Sequence, residues 1–211
     1  MVEQIFIEKY FQNLTEKQRQ QFILLEEGIA DWNTKINVIS RKDADNIVIH
    51  HILHSLSIFR FVKFNDNADI LDLGTGGGFP GLPLAIMQPN VNFVLLDSRK
   101  KKLFVIDEIC KKAQIKNVTT VHARVEEHTS KYDFVVTRAV AKSSSLLKWT
   151  KNLIKKDATH GLPNGLIALK GGDLKEELLE VGKHAYYESR ALKSYFEEEF
   201  FETKCLVYLQ H

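Results

Sequence analysis

From residue 68 onward, short apolar runs alternate with stretches of helical periodicity, and this alternation restricts the possible folds more than any other feature. The runs predict strands, since they are rich in aliphatic residues and end at turn-forming ones. The predicted strands are Asp69–Leu73, Asn92–Leu96, Val118–His122, Phe134–Thr137, Gly165–Leu169, Ala185–Leu192 and Lys204–Leu209. The predicted helices are Leu82–Gln88, Lys100–Ala113, Ser144–Lys155 and Leu174–Val181. This order predicts an α/β fold with a mostly parallel, doubly wound sheet, and the helix-free link before the last strand predicts an antiparallel edge.

The first part of the chain has a different pattern, which predicts helices without strands. Thr15 and Gln18 have the spacing of a capping box and would begin one helix. A second helical pattern covers residues 47–62 and ends at a cluster of Asn and Asp. We therefore expect an N-terminal helical extension over residues 1–64, followed by a ligand-binding domain over residues 65–211.

Composition limits the protein class and its location. A length of 211 residues suits one domain with a modest appendage. No stretch approaches the roughly 18 apolar residues of a membrane span, and the acidic Glu3 and Glu8 argue against a signal peptide. Without a secretion signal, Cys110 and Cys205 are interpreted as free thiols in a reducing compartment. These features predict a cytoplasmic protein without membrane partners.

The net charge of +2 conceals an uneven distribution. Residues 97–124 carry eight Lys and Arg against three acids, residues 138–156 carry six bases and no acid, and residues 173–202 carry four bases against nine acids. The basic segments could form a phosphate-facing surface, with Lys100, Lys101, Lys151 and Lys155 as its candidates. The alternative is that they are the solvated faces of two amphipathic helices, and the charge runs alone favour that alternative.

A glycine-rich loop follows the first predicted strand directly. Residues 74–81 read Gly-Thr-Gly-Gly-Gly-Phe-Pro-Gly and contain five glycines. Such a density is needed where the backbone turns tightly or presses against a ligand, as Gly76 would do here. Because the loop lies at the carboxyl end of a strand in an open α/β sheet, it predicts a ligand site.

The identity of that ligand depends on an acidic residue. The loop matches the dinucleotide fingerprint by letters, but Asp72 would face a pyrophosphate, and like charges repel. S-adenosylmethionine carries an ammonium group and a cationic sulfur, so an acid beside it is favourable. A phosphate-binding P-loop is excluded because no Gly-Lys-Ser/Thr follows. We interpret the loop as a methyl-donor site, with a dinucleotide as the less favoured alternative.

Residues at the ends of later strands complete the predicted site. Asp97 follows the second strand at the spacing of an acid that binds ribose hydroxyls, although it could instead cap the next helix. The acids and backbone near Glu126 are placed to meet the adenine edge. Arg138 ends the fourth strand and should face the cleft, where it could pair with a carboxylate or a phosphate. Lys170 ends the fifth strand, and cleft and capping roles are equally open for it.

Several segments together resemble the bacterial RsmG (GidB) family, and the resemblance covers nearly the whole chain. The longest shared motif is 72–83, Asp-Leu-Gly-Thr-Gly-Gly-Gly-Phe-Pro-Gly-Leu-Pro. The shorter ones are Trp32-Asn33 with Asn37, His51 with Ser55, 95–98, 124–126, 137–139 and 169–171. Members of this family methylate N7 of a guanosine in 16S ribosomal RNA with S-adenosylmethionine, within a class I methyltransferase fold.

The resemblance also implies roles for particular residues. It places donor contacts at Gly74, Phe79, Val125, Glu126 and Arg138. One position departs from the pattern, since His54 stands where many relatives have an acid before Ser55. His51 and His54 lie one helical turn apart, but nothing completes a metal shell, so we expect no bound metal. We expect these histidines on a helix surface or facing RNA.

Chemistry sets the remaining expectations. Guanine N7 is a neutral lone pair, so no proton must leave before it attacks, and we expect no catalytic base. RNA recognition would combine lysine–phosphate contacts with stacking on an aromatic ring such as that of Phe79. The alternatives are a methyltransferase acting on another RNA site, a dinucleotide-dependent oxidoreductase, or a non-catalytic RNA-binding module, which would leave the glycine loop and Asp97 without a purpose.

Overall fold

The computed structural model describes residues 4–157 and 160–210, and a seven-stranded sheet runs through them. Its strands are β1 Asp69–Leu73, β2 Asn92–Asp97, β3 Val118–His122, β4 Phe134–Arg138, β5 Gly165–Gly171, β6 Tyr186–Ala191 and β7 Lys204–Gln210. The spatial order is β3-β2-β1-β4-β5-β7-β6. β1 to β5 are parallel, whereas β7 runs antiparallel to both β5 and β6. The predicted parallel sheet with an antiparallel edge is confirmed.

β1 lies at the position where the direction of strand succession reverses. It pairs with β2 on one side and with β4 on the other, so the chain leaves the sheet on opposite faces after these strands. A crevice opens at such a switch point, beyond the carboxyl ends of the strands. The glycine loop follows β1 immediately and therefore lies in that crevice.

Helices cover both faces of the sheet. They are α1 Gln4–Tyr10, α2 Glu16–Asn33, α3 His54–Leu56, α4 Gly81–Met87, α5 Lys100–Ala113, α6 Ser143–Thr150 and α7 Lys175–Val181. One core joins the N-terminal helices, α4 and α5 to one face, and a second joins α6 and α7 to the other. None of the described helices is long and apolar enough to cross a membrane.

The N-terminal helices pack against the sheet domain through a shared core. The predicted capping box at the start of α2 is present, since Thr15 and Gln18 exchange hydrogen bonds. The amide of Gln18 also donates to the carbonyl of Ile86 at 3.1 Å. Gly28 lies so close to α5 that a Cβ there would be 2.9 Å from Ile109 Cγ1. The boundary at residue 64 stays a prediction, because the apolar core is continuous across it.

The second N-terminal helix is helical as predicted but irregular. A π-helical segment at Val48–Leu53 continues into α3 and then into a 3-10 turn at Ser57–Arg60. We call residues 48–60 the histidine helix. Segments of π-helix often occur at functional sites, because they displace side chains and carbonyls from regular helical positions.

One predicted helix is shorter than expected. α6 ends at Thr150, whereas the sequence pattern extended it to Lys155. The backbone N–H of Tyr132 donates to Leu153, and that of Lys155 donates to Tyr132, both at 2.8 Å. The chain therefore leaves the helix to pair with the segment that precedes β4.

Candidate active site

The glycine loop adopts backbone angles that require glycine. Gly74, Gly76 and Gly78 have φ values of +69°, +59° and +94°. A Cβ on Gly78 would meet Leu82 Cδ1 at 2.4 Å, and one on Gly74 would meet Val140 Cγ2 at 2.7 Å. At Gly76, by contrast, the nearest atom to a Cβ is Lys102 Nζ at 3.6 Å. The backbone of Gly76 is thus open to the crevice.

Asp72 holds this loop together from beneath. One of its carboxylate oxygens accepts hydrogen bonds from Thr75 Oγ1 at 2.6 Å and from the N–H of Gly81 at 2.8 Å. The side chain is fully buried, and burial raises its pKa to about 7. The expectation that Asp72 faces the ligand is therefore wrong, because its carboxylate turns inward to satisfy the loop backbone.

A cavity of about 440 Å³ opens at the ends of β1, β2 and β3. We call it the smaller cavity. Four residues predicted from the sequence line it: Gly74, Asp97, Val125 and Glu126. Val125 and Glu126 lie in a 3-10 turn after β3. Trp149 of α6 also lines this cavity, and no sequence signal marked it as a site residue.

Asp97 connects the smaller cavity to the glycine loop. One carboxylate oxygen accepts the N–H of Gly76 at 2.9 Å, and the other accepts the N–H of Arg99 at 2.8 Å. The second bond orders the entry to α5, so the two interpretations of Asp97 are compatible. Each carboxylate oxygen has more than one acceptor site. Asp97 therefore retains acceptor capacity for a hydroxyl in the cavity.

A larger cavity of about 790 Å³ adjoins the first, and both are lined by Gly74 and Val140. The other predicted residues that line it are Gly76, Phe79 and Arg138. The histidine helix contributes His50, His51 and His54, and bases reach it from several elements: Lys102, Lys142, Lys170 and Lys204. The structure thus brings all seven predicted site residues to two neighbouring cavities at one edge of the sheet.

Arg138 reaches back to the histidine helix. Its guanidinium donates to the carbonyl of His50 at 2.9 Å and to Nδ1 of His51 at 2.7 Å. The guanidinium carbon also lies 5.1 Å from the centre of the Phe79 ring. Burial lowers the pKa of Arg138 to about 10, and its charge is retained at neutral pH. The prediction that Arg138 lines the cleft is confirmed. The sequence did not indicate its hydrogen bonds to His50 and His51.

His51 and His54 are buried, so the expectation of a helix-surface position is wrong. Both line the larger cavity, and an RNA-facing position stays a prediction. Burial lowers the pKa of His51 to about 2, and the charge of Arg138 acts in the same direction. The pKa of His54 is also lowered well below its usual value, again chiefly by burial. Both imidazoles are therefore neutral at physiological pH. Within residues 4–157 and 160–210, no three His, Cys, Asp or Glu side chains are grouped so as to hold a metal ion.

Comparison with known proteins identifies the family. Residues 18–200 match the family model described as rRNA small subunit methyltransferase G. The chain belongs to this family. It is 49% identical over 203 residues to the ribosomal RNA small subunit methyltransferase G of Christiangramia forsetii, covering 96% of this chain and 95% of that protein. The protein of the same name from Porphyromonas gingivalis is 50% identical over 204 residues, covering 96% and 91%.

Solved structures show the same fold at low sequence identity. A magnesium protoporphyrin IX methyltransferase from Synechocystis has a TM-score of 0.63 and 13% identity, covering 95% of this chain and 100% of that chain. A SAM dependent methyltransferase from Aquifex aeolicus has a TM-score of 0.53 and 16% identity, covering 74% and 87%. These likenesses show the predicted class I fold. As a member of the rRNA small subunit methyltransferase G family, the chain is an S-adenosylmethionine-dependent methyltransferase.

Lys170 of this family member lines the larger cavity, and a helix-capping role is not observed, because the carbonyl that it contacts does not end a helix. Its ammonium donates to Glu177 Oε1 at 2.6 Å and to the carbonyl of Ala141 at 3.0 Å. The same Glu177 oxygen accepts the N–H of Ser143, the first residue of α6. The ion pair therefore fixes the loop between β4 and α6, which forms one wall of the cavity.

Two expectations about RNA contacts need correction. The ammonium of Lys155 is bound to Asp69 at 2.7 Å and to Asp133 at 3.0 Å, which connects the starts of two strands. It is thus committed within the chain, whereas Lys100, Lys101 and Lys151 are exposed. Phe79 is only 2% exposed, beneath Arg138 and beside the His51 ring. Its ring faces are not accessible for stacking on an RNA base.

Proposed function

We propose that this protein transfers the methyl group of S-adenosylmethionine to N7 of a guanine in 16S ribosomal RNA. The observation that carries the proposal is the identity of about half of all residues, over nearly the full length, with proteins named ribosomal RNA small subunit methyltransferase G. N7 is the atom that this family methylates. The substrate is 16S ribosomal RNA in the cytoplasm, either as naked RNA or within the assembled or assembling small subunit.

The two cavities suggest how the donor would lie. Asp97 has acceptor capacity for the ribose hydroxyls, and the turn at Val125 and Glu126 would meet the adenine edge. The methionine end would follow the loop at Gly74 and Gly76, where the absence of side chains leaves room for a ligand. Phe79 and Arg138 would close the far side. The donor supplies a methyl group on a cationic sulfur, and these residues hold it in place.

The larger cavity suits the acceptor base. It is open to solvent, adjoins the donor site at Gly74, and collects ammonium groups at Lys102, Lys142 and Lys204. Those charges would attract the phosphates beside an unpaired guanine. N7 has no proton to lose, and the neutral His51 and His54 are buried, so we name no catalytic base. The chain's contribution is the alignment of the base with the donor.

The product provides a direct test. Methylation at N7 leaves a cationic base whose imidazole ring opens under alkali, which allows the strand to be cut chemically. We expect one cleavage-sensitive guanine in 16S RNA treated with the protein and S-adenosylmethionine, and none when NADH replaces the donor. Methyl incorporation without a cleavage-sensitive guanine would show that the acceptor is another atom and would contradict the proposal.

The exposed lysines provide a test of the RNA surface. Reversing Lys100, Lys101 and Lys151 to Glu should weaken RNA binding. The slope of log K against log salt concentration should become less steep by about 2, since each phosphate contact on a single strand contributes about 0.7. Donor affinity should stay unchanged in calorimetry. An unaltered salt slope would favour the alternative that these lysines are simply solvated.

A further inference from the structure

An exposed aromatic ring stands on the basic end of α5. Phe104 is 51% exposed, although the large apolar side chains of this helix are otherwise turned toward the core. It packs edge to face against Trp32 of α2, with ring centres 5.6 Å apart and planes at 86°. The ammonium of Lys35 lies 5.0 Å from the centre of the Trp32 ring. An edge-to-face contact covers only part of each ring, so part of the Phe104 ring stays exposed to solvent.

The helical turn before Phe104 is positively charged, whereas the exposed Glu108 lies one turn after it. Lys100 and Lys101 precede Phe104 by one helical turn, and both are exposed, as is Arg99. The acids closest in sequence on α2 are already paired, Asp31 with Lys35 at 2.9 Å and Glu27 with Lys112 at 3.6 Å. Asp107 accepts a hydrogen bond from Thr120. Exposed aromatic rings beside basic side chains are typical of surfaces that bind single-stranded nucleic acid.

The pair is connected to the larger cavity through both of its helices. Two positions before Phe104, Lys102 lines that cavity beside Gly76. After Trp32, the side chain of Asn33 accepts the N–H groups of Val38 and Ile39 at 3.0 Å, and these two residues also line the cavity. The segments that carry the aromatic pair therefore also contribute residues to the wall of the larger cavity, although Lys102 and Phe104 point to different sides of α5.

We propose that Phe104 and Trp32 form a stacking platform for a nucleotide that neighbours the target guanine. This inference rests on the proposed function, since the occupant is the RNA strand already bound at the larger cavity. A flat base would lie against the exposed aromatic surface, while Lys100 and Lys101 neutralise the adjoining phosphates. The platform takes the role that Phe79, being buried, cannot fill.

Substitutions at Phe104 separate stacking from simple apolar contact. Phe104→Tyr keeps the aromatic ring, whereas Phe104→Leu keeps an apolar side chain without one. We expect the Leu variant to raise the KM for RNA roughly 5- to 100-fold and the Tyr variant to leave it within about twofold. Leu179→Ala provides a matched control, because Leu179 is 58% exposed on the acidic α7. Donor affinity, measured by calorimetry, should not change in any of the three.

Fluorescence gives a second measurement that does not depend on turnover. The chain has two tryptophans, so a Trp149→Phe variant reports Trp32 alone. A single-stranded oligonucleotide that contains the mapped guanine should quench this emission, and Phe104→Leu should weaken the binding.

Equal effects of Phe104→Leu and Phe104→Tyr, or no effect of either, would overturn the platform. The platform would also be overturned if Phe104→Leu impaired methylation of assembled subunits but not of naked RNA. In that case Phe104 would contact a ribosomal protein and not the RNA. If the wild type forms no N7-methylguanine, the proposed function itself fails, and the platform with it.

Discussion

The two walls of the site are built in different ways. On the strand side, Asp97 accepts the N–H of Gly76 across 21 positions of sequence, and the loop is shaped mainly by backbone geometry. On the helix side, Arg138 contacts His51 across 87 positions, and the contact depends on buried side chains. The strand wall is a local structure that presents the backbone to a ligand. The helix wall exists only when distant segments pack, so damage there should affect stability as well as binding.

The largest effect is expected from closing the strand wall. Gly76→Val would place a branched side chain in the open space beside the loop, at a φ of +59° that costs a residue with a Cβ about 1–2 kcal/mol. We expect S-adenosylmethionine binding to be lost in calorimetry while the circular dichroism spectrum stays native. Gly161→Val is the control, since a Cβ at Gly161 has no neighbour within 4 Å.

Asp97→Ala should have the next largest effect on the donor. Loss of its acceptor oxygens should weaken binding by about 1–3 kcal/mol, because a charge-assisted hydrogen bond is removed. Asp97→Asn retains one acceptor oxygen and should lose less. If donor affinity is the same in Gly76→Val, Asp97→Ala and wild type, the assignment of the donor to the smaller cavity and the glycine loop is wrong.

The helix wall should respond differently. His51→Ala removes one acceptor from the buried guanidinium of Arg138, so we expect the free energy of unfolding to fall by about 1–3 kcal/mol in urea denaturation. His50→Ala keeps the backbone carbonyl that Arg138 also uses and loses only partly exposed contacts, with Asp43 and with the ring of Phe200, so it should cost less. Equal losses in the two variants would mean that the Arg138 side-chain contact contributes little.

The smallest effect concerns pH. With the pKa of His51 at about 2 and that of His54 also depressed, neither group titrates between pH 6 and 9. A single-turnover rate that is flat within about twofold over this range is therefore expected. If the rate instead rises near pH 7, Asp72 is the first group to replace, by Asn. Its pKa is raised to about 7, so its carboxylate is mostly ionised above that pH. A rise that survives Asp72→Asn would indicate proton loss in the reaction and argue against N7.

The sequence alone determined the features that depend on local geometry. Apolar runs and turn residues gave the strands to within a few residues, with β1 and β3 correct at both ends. The density of glycines located the loop, and the spacing of Asp97 placed it at the neighbouring strand end. These signals are readable because backbone angles and strand–helix periodicity are imposed by neighbours along the chain.

Tertiary structure decided the features that depend on which distant groups meet. Asp72 turns under the loop, Lys155 joins two strand starts, and His51 is buried against Arg138, none of which the local pattern indicates. A carboxylate, an ammonium or an imidazole looks the same in a sequence whether it faces a ligand or satisfies a buried backbone group. Only packing settles this, because the cost of leaving a buried polar group without a partner is set by whatever surrounds it in the folded chain.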